Sequence, residues 1–240
     1  MKVRFLSAGD RALVVEFGDR IDQALSERVL RLDAIVRSNP PVGVVETVPT
    51  FRSLTVYYDP FLTSRAELQP AIGALLDLGD KARSGARLWQ VPVCYRGEFA
   101  PDLAEVARLT GLTSGEVVAL HSSTRFHVYM LGFLPGFPYM GDLPPQLALP
   151  RRADPRLRVA AGSISIATSL TAIYPYESPG GWHLIGATPI RLFDPERPEP
   201  ALFAPGDAVS FQPIDPAAFA SIRRAVENRS YEVESAPVGR

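Results

Sequence analysis

Residues 125–142 read RFHVYMLGFLPGFPYMGD, and this stretch marks where the chain changes character. An apolar run, 125–131, passes into GFLPGFPYMGD, residues 132–142. The second segment holds three glycines, two prolines and three aromatics, and no Lys or Arg. Glycine serves where backbone turns with φ > 0 or approaches something closely. Proline fixes φ and removes a donor. Set between aromatics, they build a rigid loop with an apolar surface, which packs as a plug or lines a pocket. From here on helical periodicity fades. Short apolar runs recur between Pro and Gly turns, at 125–131, 158–167, 171–174, 182–186, 189–193 and 207–213. That pattern predicts a β-barrel or sandwich. A short terminal helix is expected near 216–227.

Upstream, strands and helices alternate. Residues 2–7 and 11–17 read as strands, with Ala8-Gly9-Asp10 as their turn. Ile21, Leu25, Val29, Leu32 and Val36 recur on one face and predict a helix over 21–37, ended by Asn39-Pro40-Pro41. Strands follow at 43–48 and 53–58. A second helix is expected over 64–78, where Ser64 and Glu67 have capping-box spacing. The order ββαββα suits an α+β domain, a four-stranded antiparallel sheet with two helices on one face. GDKARSGA, residues 79–86, is small and polar and reads as a linker. The expected domains are therefore 1–84 and 85–240. A strand at 87–94 and short helices near 102–110 and 114–121 open the second, with Gly111 as a helix stop and Thr113/Glu116 as a capping box.

Net charge is −1 over 240 residues, so there is no global electrostatic case for nucleic acid. The single cysteine, Cys94, excludes an internal disulfide and lies in the apolar run LWQVPVCY, where it reads as a small buried hydrophobe. The N-terminus lacks the apolar core of a signal peptide, and no run approaches the roughly 20 residues of a membrane helix. These features point to a cytoplasmic protein.

Three segments carry candidate chemistry. PRRADPRLR places Arg151, Arg152, Arg156 and Arg158 within eight residues. A guanidinium fork matches carboxylate and phosphate. As a pattern alone the cluster reads first as a solvated loop; its closeness to GFLPGFPYMGD favours a site. AAGSISIATSLTAIYP, residues 160–175, offers Ser163 and other hydroxyls without a G-x-S-x-G elbow, so they read first as structural. In YESPGGWHLIGATP, residues 176–189, Gly180 and Gly181 close a turn. That turn could present N–H groups to an anion or be a plain barrel turn. The histidines, His121, His127 and His183, match no metal motif, and each reads first as structural. No P-loop or other standard nucleotide motif occurs.

Taken together, GFLPGFPYMGDLP, PRRADPRLRVAAGS and IYPYESPGGWHLIGATPIRLFDPERPEPALFAPGD resemble the B subunit of 5-oxoprolinase. This is the PxpB/KipI family, also described as allophanate hydrolase subunit 1 and as carboxyltransferase subdomains C and D. Weaker matches, RFLSAGDRALVVEFGD among them, extend the resemblance over nearly the whole chain. The resemblance implies a small N-terminal α+β domain and a cyclophilin-like all-β barrel. It implies two partners as well, one of the KipA/PxpC type and one of the PxpA type. The complex would hydrolyse 5-oxoproline to glutamate at the expense of ATP, bound through the complex with the KipA/PxpC-type partner, and no metal site is expected in this chain. The PxpB-type and PxpC-type components would activate the lactam by phosphorylation, and the PxpA-type component would open the ring. In that frame Arg151 and Arg158 bind carboxylate or phosphate and Ser163 holds the lactam or a transferred group. Tyr139 and Tyr174 shape the pocket, Gly180 and Gly181 contact an anion, and His121 carries a proton. Two other readings stay open, a KipI-like inhibitor of a sensor histidine kinase and a carboxyltransferase-type subunit. The family pattern VPAGSVGIAGGQTGIYP becomes VAAGSISIATSLTAIYP here, with Ala160, Ser165, Thr168-Ser169-Leu170 and Ala172 as departures, and a later arginine becomes Ala187.

Overall fold

The computed structural model describes residues 3–76 and 85–238. The chain divides into two compact units, Met1–Gly85 and Ala86–Arg240. Residues 79–84 of the expected linker lie outside the described residues.

In the first unit, β1 (Arg4–Ser7) and β2 (Ala12–Glu16) form a hairpin, followed by α1 (Gln23–Ser38), β3 (Val44–Pro49), β4 (Ser53–Tyr58) and α2 (Arg65–Leu75). The sheet order is β1-β2-β4-β3, antiparallel throughout. Period-2 alternation puts Leu13 and Val15 of β2 and Leu54 and Val56 of β4 on one buried face. Val29, Leu32 and Val36 of α1 and Leu68 and Ile72 of α2 close that core. The helix starts are set locally. Asp22 accepts from the Leu25 N–H, and Ser64 and Glu67 form a reciprocal capping box. Helix α1 begins two residues later than its apolar pattern suggests, because Ile21 remains 42% exposed.

The second unit is a closed barrel. Its strands are β5 (Arg87–Cys94), β6 (Arg125–Leu131), β7 (Pro138–Gly141), β9 (Ser163–Ala167), β10 (Leu170–Ile173), β12 (His183–Ala187) and β13 (Ala208–Ile214). They run in the order β12-β9-β10-β7-β6-β13-β5, and Ala187 of β12 pairs with Cys94 of β5 to close the ring of seven. Closure removes most of the sheet edge that would otherwise be open to association. A last strand, β14 (Ser235–Pro237), borders the first half of β5. A separate ribbon pairs β8 (Arg156–Val159) with β11 (Ser178–Gly180). Val91, Phe126, Val128, Met140, Ile164, Ile166, Ile173, Ile185 and Val209 fill the interior. Helices α3 (Leu103–Thr110) and α4 (Ser114–Ser123) pack on it through Val106, Ala107 and Val117. Gly111, left-handed at φ 72°, and the Thr113/Glu116 capping box make the turn between them. Helix α5 (Pro216–Glu227) is capped by Asp215 and buries Phe219 alone.

Several strand limits differ from the sequence reading. The run 158–167 is two strands, because Ala160–Ala161–Gly162 turns the chain. Gly162 has φ 83°, and a Cβ there would lie 2.3 Å from the Thr188 carbonyl oxygen, so only glycine fits. The run 189–193 makes no strand; its register contact is one bridge, Phe193 to Ala201, although Ile190 and Leu192 are buried. GFLPGFPYMGD is not all loop. Its last third is β7, paired to β6 and β10, with Pro138 at the strand start where proline is tolerated.

Candidate functional site: an arginine-rimmed cleft

A cleft of about 860 Å³ opens on the barrel unit. Its rim comes from five short segments. Arg156 and Arg158 stand two apart on β8 and so share a face, while Leu157 between them is 86% exposed on the other. Ser163 opens β9, Thr188 follows β12, and Arg191 lies just beyond. Arg223 and Glu227 come from α5, and Glu98 from the turn before α3.

The cleft has an anchored side. Asp102, at the start of α3, is 3% exposed and accepts from Arg152, Arg156 and the Leu184 N–H (2.7 Å). A buried carboxylate with charged and neutral donors holds β8 against α3 and β12. Arg158 forms a two-point pair with Glu177 (2.9 and 3.1 Å), but both side chains are more than half exposed. Water screening leaves such a pair worth about 0–1 kcal/mol, so Arg158 exchanges partners at little cost. Ser163 is 7% exposed, lines the cleft, and its hydroxyl has no hydrogen-bond partner among the described residues. Thr188, 3% exposed, accepts weakly from the Ile190 N–H at 3.5 Å.

Of the residues singled out from sequence, Arg158 and Ser163 meet in this cleft. Arg151, Tyr139, Tyr174 and Gly180 form a second group around Trp182 and Phe137. The Arg151 guanidinium lies 5.9 Å from the Trp182 ring centroid, and Phe137 touches both tyrosines (5.0 and 5.2 Å). Gly180 is glycine because a Cβ would fall 2.3 Å from the Tyr174 hydroxyl. Burial raises the pKa of Tyr139 and Tyr174, with Arg151 opposing in both, so both remain phenols near neutrality. Gly181 sits against Pro155 and accepts from the Arg152 N–H at 2.8 Å.

His121 joins neither group. It is fully buried in the barrel, stacked on Phe211 at 4.6 Å. The Tyr95 hydroxyl donates to Nδ1 (2.8 Å), Nε2–H donates to Thr171 Oγ1 (3.0 Å), and Thr171 donates to the Ser165 carbonyl (3.0 Å). Burial holds its pKa down at about 3, so the ring is neutral. This placement ties α4 to β10 and to Tyr95, the residue that follows β5, and keeps the imidazole away from the cleft. The altered stretch divides likewise. Ser165, Leu170 and Ala172 are buried in the barrel wall, whereas Ala160 and Ala187 line the cleft.

Sequence reasoning passed over Thr188, Arg191 and Arg223 as site residues. Thr188 lies in an ordinary strand exit. Arg223 belongs to SIRRAVE, whose charges read as the solvated face of a helix. No group of His, Cys, Asp and Glu able to hold a metal ion occurs among the described residues, and no helix there is long and apolar enough to cross a membrane.

Residues 3–203 match the family model described as carboxyltransferase domain, subdomain C and D. The chain belongs to this family. It is 38% identical over 217 residues to a Bacillus subtilis protein named as the B subunit of 5-oxoprolinase, covering 85% of this chain and 89% of that one. An Escherichia coli O157:H7 protein of the same name is 41% identical over 212 residues, covering 88% and 96%. Among solved structures, TTHA0988 superposes with TM-score 0.76 at 38% identity, covering 85% of this chain and 40% of that longer one. The Kluyveromyces lactis urea amidolyase superposes with TM-score 0.81 at 22% identity, covering 98% of this chain and 16% of that one, a likeness of fold.

Proposed function

We propose that this chain is a subunit of an ATP-dependent 5-oxoprolinase. Acting with a KipA/PxpC-type partner, it would activate 5-oxoproline by phosphorylation, and a PxpA-type partner would open the ring to glutamate. The observation that carries the reading is the cleft, where arginines crowd the rim and the Ser163 hydroxyl has no partner among the described residues, in a chain 38–41% identical to proteins named as the B subunit of 5-oxoprolinase. A lactam amide is a poor electrophile, and its O-phosphorylated form is far better. Phosphoryl transfer asks the protein for positioning and charge stabilisation more than covalent help. Arg158 is suited to move from Glu177 to a ligand oxyanion, and Ser163 to donate to a ligand oxygen. Arg151, Tyr139 and Tyr174, with Gly180 and Gly181 beside them, would act as a second binding surface for polar groups. ATP would be held chiefly by the KipA/PxpC-type partner. His121 positions the barrel wall and takes no proton from the ligand.

The test is reconstitution. The purified chain with its PxpC-type and PxpA-type partners is expected to form glutamate from 5-oxoproline only when ATP is present. Arg158→Ala is expected to lower kcat/KM at least about tenfold, the scale of one lost charge-assisted hydrogen bond. Full activity in that variant overturns the site; absence of glutamate with all three components overturns the function.

A further inference from the structure

We infer that the cleft takes a small singly charged carboxylate carrying a hydrogen-bonding group, gripped by Arg223 and the hydroxyls of Ser163 and Thr188, and rejects polyphosphate. The inference rests on the function proposed above and assigns one of its two substrates to this chain.

The charges around the cleft carry the argument. Four arginines line it, and three form ion pairs: Arg156 with Asp102, Arg158 with Glu177, and Arg191 with Asp194, although Arg156 Nη1 is buried without a hydrogen-bond partner. Arg223 has no carboxylate partner among the described residues. Its guanidinium carbon lies 5.9 Å from the Phe219 ring centroid, and Phe219 is 7% exposed and pressed against Phe99 at 4.3 Å. Stacking on a fixed ring steadies the cation while leaving its N–H donors open. Glu227, one helical turn on, and Glu98 also line the cleft, and neither forms an ion pair among the described residues. Among the described residues that line the cleft, the charged groups outside an ion pair are therefore one cation and two anions. A single carboxylate satisfies the cation. A triphosphate would bring several negative charges toward Glu98 and Glu227, which repel them.

The floor fits the same ligand. Ser163 and Thr188 are both more than nine-tenths buried, and the Ser163 hydroxyl is unpartnered among the described residues. A hydroxyl with no partner in the fold can donate to an incoming acceptor without giving up a protein hydrogen bond. The two free glutamates in turn accept from a ligand N–H, such as that of a lactam. Helix α5 lies beyond residues 3–203, so Arg223 stands outside the segment the family model covers.

Calorimetric titration of the full chain with 5-oxoproline, and separately with pyrophosphate, tests this. Wild type is expected to bind 5-oxoproline and to bind pyrophosphate at least about tenfold more weakly. Arg223→Ala is expected to weaken 5-oxoproline at least about tenfold and Arg223→Lys less, with unchanged unfolding midpoints because the side chain is exposed. Joint Glu98→Gln and Glu227→Gln replacement is expected to raise pyrophosphate affinity. Pyrophosphate binding as tight as 5-oxoproline, no 5-oxoproline binding by wild type, or unchanged binding in Arg223→Ala overturns the inference. Glutamate formation separates it from the function. Activity with Arg223-independent binding sinks the inference alone, and Arg223-dependent binding without glutamate formation sinks the function alone.

Discussion

His121 and Ser163 are both buried polar residues of the barrel unit, and they differ in one respect. Both imidazole nitrogens of His121 are hydrogen-bonded inside the wall, whereas the Ser163 hydroxyl meets no partner among the described residues and faces a cleft. The first arrangement is finished by folding alone. The second is left open to whatever enters the cleft, water included. Burial therefore does not separate structural from functional polar groups here, but unmet hydrogen-bonding capacity does.

That contrast can be broken most severely at the turn just before Ser163. Gly162→Ala forces a side chain at φ 83° to within 2.3 Å of the Thr188 oxygen, and is expected to cost about 3 kcal/mol or more. Chemical denaturation would read this as a lowered midpoint. His121→Ala comes next. It strands the Tyr95 hydroxyl in the core and takes a donor from Thr171, and a loss of about 2–4 kcal/mol is expected, with KM unchanged in the protein that folds.

The same histidine gives a pH signature. Its folded pKa, about 3, lies below the ordinary 6.5, so the unfolded chain takes up a proton that the fold refuses. Its contribution is whole above pH 6.5 and drains away as pH falls toward 3, by up to about 1.4 kcal/mol per pH unit. Stability curves from pH 7 to 4 should be flatter in His121→Gln than in wild type. A smaller effect is expected at Thr168, a β-branched residue held at φ 53°. Thr168→Gly removes a strain of about 1 kcal/mol and adds unfolded-state entropy, so a net gain below about 1 kcal/mol is expected in thermal unfolding.

The α+β unit was legible nearly to the residue, because its helices carry caps and 3.6-residue periodicity and its strands alternate. The barrel was legible as a class and less so in its strands. Periodicity could not show that Ala160–Ala161–Gly162 turns the chain, or that Pro138–Gly141 is paired, since both facts depend on distant partners. In the cleft, Arg158 and Ser163 stood out from local composition. Arg223 did not, because its value comes from forming no ion pair among the described residues, which no linear pattern shows. His121 misled for a related reason. A histidine at a helix end invites a chemical role, and only the packing of Tyr95, Thr171 and Phe211 around it reveals a structural one.

Ser163→Ala tests the central contrast most directly, measured in one preparation for both unfolding midpoint and ATP-dependent glutamate formation with the PxpC-type and PxpA-type partners. The account predicts stability within about 1 kcal/mol of wild type, since that hydroxyl makes no hydrogen bond among the described residues, and a fall in kcat/KM of about tenfold. Undiminished activity, or a stability loss like that of His121→Ala, would contradict it.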